Sequence, residues 1–157
     1  MRRLCTCFWH QRLNLYSPDT SQAAPVNLSK ATRLNTVALI CWLYPGWILP
    51  TLRTITRNHR ELEWITLTAL SLQGLSGHDD AKDAVRGAAY TEWLELDRIL
   101  VQLHESHSIR LKVLYNPRIG IEGSRERARM NVLLPEAMKR GMVGLVRGDE
   151  YEGYVRF

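Results

Sequence analysis

Between residues 28 and 148 the spacing of apolar side chains switches repeatedly between two and about 3.6, and this switching restricts the fold more than any other feature. A period of two fits a strand with one face buried. A period of 3.6 fits a helix lying on it. Leu34, Val37, Leu39 and Ile40 predict a first strand, closed at Tyr44, Pro45 and Gly46. Pro50 suits the first turn of a helix, where its missing N–H is not needed, with Ile48, Leu52 and Ile55 on one side. Leu62 to Thr68 alternates as a second strand reaching towards Leu72, and Gly74, Gly77 and Asp79 end it. The longest helical pattern runs from Asp83 to His107, where Trp93, Leu96, Leu100 and Leu103 recur at spacings of three and four. Ile109 to Tyr115 alternates again and stops at Asn116 and Pro117. Met130, Leu133, Leu134, Ala137 and Met138 predict one last helix, with Gly141 as its left-handed cap, and Met142 to Val146 a fourth strand.

Strands separated by helices must pair in parallel, because a crossover returns each strand to the same end of the sheet. The expected class is therefore α/β, a leucine-rich-repeat-like open array of alternating strands and helices with a mostly parallel sheet. The first two strands start about 28 residues apart, inside the roughly 20 to 29 of leucine-rich repeats, and the later intervals are longer. Residues 17 to 27 hold two prolines and several small polar residues, so 1–27 is expected to be a flexible basic leader. The repeat-like domain is assigned to 28–148 and a polar tail to 149–157.

Charge and composition narrow the function classes. With 157 residues, 45% hydrophobic and 24% charged, the chain fits one globular domain and excludes collagenous or wholly disordered classes. Residues 1 to 30 hold Arg2, Arg3, Arg12 and Lys30 against Asp19, while the remainder is close to neutral. The surplus reads as a basic leader on a balanced body, which does not by itself argue for a nucleic-acid groove. Three cysteines make no closed disulfide set, so a reducing intracellular setting, cytoplasmic or nuclear, is expected. The most apolar run, Val37 to Leu49, is broken by Tyr44, Pro45 and Gly46 before it reaches membrane-spanning length, so no membrane contact is expected.

The chemistry-bearing residue types form no convincing constellation. Cys5, Cys7 and His10 fall short of four zinc ligands. His104 and His107 stand one residue closer than in HExxH and are better read as capping and packing the end of a helix. Gly120 and Gly123 match a bare GxxG, but Glu122 presents the wrong charge to a phosphate, so a turn is favoured. Arg125, Arg127 and Arg129 spread around a helix start instead of forming one stripe. Cys41 lacks an oriented base. Trp64 and Trp93, in phase with apolar neighbours, are assigned to the core. Trp42 and Trp47, at a Pro-Gly turn, are the candidate partner-binding residues. No catalytic residue, cofactor or metal is assigned.

Three stretches, PTLRTIT from Pro50, WLELDRILVQL from Trp93 leading to SHSIRLKV from Ser106, and LLPEAMKRGMV from Leu133, resemble the closing repeats of fungal, chiefly basidiomycete, F-box and leucine-rich-repeat-like proteins. The resemblance covers about residues 28 to 148 and carries no catalytic residues. It implies a role in which the repeat sheet holds a substrate protein while an F-box binds a ubiquitin-ligase adaptor. This chain shows no F-box, so an adaptor would be reached only through a longer parent.

The expected function is accordingly a non-catalytic protein-interaction module with an unknown protein partner. The alternative is a small nucleic-acid-binding protein that uses the basic leader and the region from Arg118 to Arg129. Val37 to Leu43 carries no charge, so as the first strand of a sheet it would be an open edge through which copies self-associate.

Overall fold

A computed structural model describes residues 12–16, 25–41, 45–69, 88–115 and 123–147. Their elements, in chain order, are β1 (Arg12–Tyr16), β2 (Thr36–Cys41), α1 (Ile48–Leu52), β3 (Trp64–Ala69), α2 (Ala88–His107), β4 (Arg110–Tyr115), α3 (Gly123–Leu133), α4 (Pro135–Lys139) and β5 (Val143–Arg147). The strands form one sheet in the order β1-β2-β3-β4-β5, and every neighbouring pair is parallel.

That order fixes where the helices go. Parallel crossovers are right-handed, so strands laid down successively in one direction send every connection over the same face. Val37 and Leu39, Ile65 and Leu67, and Leu111 and Val113 share one hydrophobic core with Ile48 and Leu52 of α1, Trp93, Leu96 and Leu100 of α2, and Met130 and Leu133 of α3. Val143 and Leu145 pack against it from β5. The buried residues of α2 fall at the spacings of three and four that its sequence shows, and Arg98, between them, is exposed. An α/β architecture with a parallel sheet and alternating helices is thus observed, and the described helices share one face of the sheet.

The sheet begins earlier than the sequence reading placed it. Leu13 lies opposite Val37 and Leu15 opposite Leu39, so part of the segment assigned to a flexible leader is a strand, and β2 is an interior strand instead of an open edge. The short apolar alternation of β1 gave no period to read.

The last helix is two helices. Pro135 has no N–H to donate, and its ring keeps the preceding residue out of helical conformation. Leu134 accordingly sits at φ −130° and ψ 56°, with Pro135 opening α4. The apolar face survives the break, since Met130, Leu133, Leu134 and Ala137 are all buried. Gly141 adopts φ 66°, with Gly141 N–H on the Met138 carbonyl and Met142 N–H on that of Ala137, which is the left-handed closure expected from the sequence.

Candidate interaction surface

Side chains alternate across a strand, so the sheet face turned away from the described helices carries Thr36 and Ala38 of β2, Trp64, Thr66 and Thr68 of β3, Arg110, Lys112 and Leu114 of β4, and Gly144 and Val146 of β5. No acidic residue occupies these positions. Ala38, Thr66, Thr68 and Leu114 are buried, whereas Thr36, Trp64 and Lys112 are partly exposed and Arg110 is exposed. The face is accessible along β5, at exposed Gly144 and partly exposed Val146, and at its end nearest the strand starts, where Thr36, Trp64 and Arg110 lie in one row of the parallel register.

Trp64 organises that row. The Lys112 ammonium sits 3.7 Å from the centroid of its ring, and the Arg110 guanidinium carbon lies 6.0 Å away. Both cations meet the electron-rich face of an indole, an attraction of about 0.5 to 1 kcal/mol at exposed sites. Trp64 does not join the core, which corrects its assignment from the sequence. In Leu62, Trp64, Ile65 and Leu67 the apolar phase slips by one residue, and Ile65 and Leu67 are the pair that point to the helices.

The loops feeding this end are tied together. Asn35 O accepts from the N–H groups of Glu63 and Trp64 at 2.9 and 3.1 Å, and Leu28 N–H donates to Thr54 Oγ1 at 2.8 Å. His59 is fully buried between them, with Nε2 2.9 Å from the Leu28 carbonyl. On its other side the ring meets Thr56, with Nδ1 3.0 Å from both the N–H and the carbonyl oxygen of that residue. His107 reaches the same loop from α2 through Nε2 on the Thr56 carbonyl, at 2.9 Å.

The candidates named from sequence separate as follows. Trp47 is 8% exposed and belongs to the core, with its Nε1 buried and unbonded, so it is not an exposed anchor. Trp42 lies outside the described residues, as do Cys5, Cys7, His10, Gly120 and Arg118. His104 and His107 bond different backbone carbonyls, those of Ile109 and Thr56, which is the packing role assigned to them. Among the described residues no group of three or more His, Cys, Asp or Glu could hold a metal ion, and no helix is long and apolar enough to cross a membrane. Within the arginine-rich segment, Arg125 and Arg127 are exposed, but Arg129 is buried against Glu126 at 3.3 Å. Burial raises the Glu126 carboxyl above its usual range, and the Arg129 charge pulls it back only in part. That pair serves the core, which removes one arginine from any phosphate contact. Comparisons of the chain with protein-family models, with curated proteins and with solved structures find no match.

Proposed function

We propose that the chain is a non-catalytic protein-interaction module, a leucine-rich-repeat-like array that docks a partner protein on the Thr36, Trp64 and Arg110 end of the sheet face turned away from its described helices. One observation carries the reading: the helices gather on one face, and the opposite face ends in a partly exposed row of Thr36, Trp64 and Arg110. Aromatic and arginine side chains dominate protein interfaces because each joins apolar area to a directed polar group. Among the described strands the order runs without the reversal at which open α/β sheets hold small ligands. In this reading a ubiquitin-ligase adaptor would be reached through a longer parent, as the resemblance implies, and the setting is intracellular.

Affinity purification with the full chain tests it, run beside a Trp64→Ala/Arg110→Ala variant of equal thermal stability. The expected result is a partner retained by the natural chain and lost from the variant. Equal retention by both overturns the assignment of this face. The nucleic-acid reading predicts instead that retention on a nucleic-acid column falls steeply with salt.

A further inference from the structure

The two clamped loops carry a second feature. Lys30 and Arg33 lie in the loop that enters β2, and Arg57 and Arg60 in the loop that enters β3, and all four are exposed. Four arginines elsewhere among the described residues face carboxylates, Arg53 and Arg98 sharing Glu95, Arg129 meeting Glu126 and Arg140 meeting Glu105, whereas the exposed Arg125, Arg127 and Lys139 do not. None of the four loop cations has such a pair. Glu61 and Glu63 are the acidic residues of these loops, so positive charge prevails.

Unpaired like charges repel, and keeping four of them on two adjacent loops costs free energy unless the loops are held by other bonds. Here they are held, by His59 on the Leu28 carbonyl, by Leu28 N–H on Thr54 Oγ1, and by Asn35 O under Glu63 and Trp64. The cations are therefore carried on a fixed base, directly before the row of Thr36, Trp64 and Arg110. Binding to such a base loses less conformational freedom than binding to free loops.

We propose that this rim, made by Lys30, Arg33, Arg57 and Arg60, binds an acidic peptide segment of the docked partner. The proposal rests on the reading of the neighbouring sheet face as a docking surface and gives the chemistry of what lies at its edge. Guanidinium groups match carboxylates in a two-pronged geometry, and three of the four cations are arginines. A nucleic-acid strand fits less well on two grounds. Glu61 and Glu63 sit among the cations and would repel a continuous row of phosphates, whereas a peptide can place neutral residues beside them. Lys112 already lies on the Trp64 ring, where a base would have to stack.

The test is fluorescence anisotropy with the full chain and a labelled peptide of alternating glutamate and serine. Binding is expected to weaken as salt rises. Arg57→Glu with Arg60→Glu is expected to lower affinity about tenfold or more, and Arg125→Glu, an exposed change on α3, to leave it unchanged. Circular dichroism melts and the milder Arg57→Gln/Arg60→Gln variant guard against misfolding, the latter giving a smaller loss of the same sign. No binding, equal binding by the reversed variant, or tighter binding of an oligothymidylate each overturns the proposal. The two readings fail separately in the purification experiment. A partner lost by Trp64→Ala/Arg110→Ala but kept by the rim variant overturns the rim alone, and a partner kept by Trp64→Ala/Arg110→Ala overturns the docking face itself.

Discussion

Asp97, in the middle of α2, accepts a hydrogen bond at 2.9 Å from the backbone N–H of Ala137, 40 residues further along the chain. Its second oxygen takes Glu136 N–H at the same distance, so one carboxylate satisfies two donors at the start of α4 that no residue of α4 can reach. Burial nevertheless lifts the Asp97 carboxyl above its ordinary range, the two N–H bonds pulling it back only in part. A group raised in the folded state contributes most below its unfolded pKa, and the contribution is lost as pH rises through the folded value. Asp97→Asn keeps one acceptor and sets an NH₂ against the other N–H, a loss of about 1 to 3 kcal/mol. Urea unfolding from acid to neutral pH should show the gap between natural chain and variant narrowing as pH rises. A widening gap would mean that the N–H bonds outweigh burial.

Replacing His59 by Ala removes the imidazole from the Leu28 carbonyl, which keeps Ala31 N–H, and from the part-buried Thr56 N–H, and should cost about 1 to 3 kcal/mol. Hydrogen exchange should show the loss first in amides from Val26 to Leu34, since their loop is what the imidazole fastens. Stability unchanged within about 0.5 kcal/mol would remove the clamp from the account.

Two left-handed residues predict effects of opposite sign. A Cβ at Gly141 meets nothing within 4 Å, so Gly141→Ala pays only for its φ of 66° and should destabilise by about 1 kcal/mol. Ser108, exposed at φ 57° after α2, already bears that strain, and Ser108→Gly should gain up to about 1 kcal/mol. Thermal melts of both variants check the pair, and two changes of like sign would refute it.

Leu100 is 1% exposed, whereas the Arg98 side chain is 73% exposed and only 3.5 Å from its partner Glu95. Leu100→Asp buries an unpaired carboxylate at a cost of about 4 kcal/mol or more, enough to unfold a marginal domain. Arg98→Asp should stay within about 1 kcal/mol of the natural chain. Equal cooperativity of the two melts would disprove the orientation of α2.

Removing β1 uncovers β2, which from Thr36 to Cys41 holds no charge to deter pairing with another chain. A chain shortened to start at Val26 should therefore show light scattering that grows with concentration, while one starting at Gln11 should not. Identical behaviour would mean that β1 does not guard that edge.

Strand and helix order was legible because Ile109 to Tyr115 and Trp93 to Leu103 hold a single period over their whole length. Where a period is short or slips, reading fails: β1 offers only Leu13 and Leu15, and Trp64 keeps step with Leu62, which precedes its strand. The break at Leu134 was hidden because the apolar face continues through it. The basic rim could not be read from sequence, since the loops that carry Lys30 and Arg60 are brought side by side only by the pairing of β2 with β3 and the bonds from Leu28 to Thr54 and His59. Counting charge along the chain assigned Lys30 to the leader instead.

The one-sided helix layer has a mechanical consequence. A helix with its side chains is about 10 Å across, while adjacent strands lie about 4.8 Å apart, so a layer spaced by helices outruns a sheet spaced by strands. Bowing would relieve such a mismatch, with the described helices on the outer arc and Thr36, Trp64 and Arg110 on the inner one. In such a sheet curvature is set by the ratio of helix width to strand spacing, so a bulkier side chain between neighbouring helices would change the radius of the opposite face without altering any residue on it.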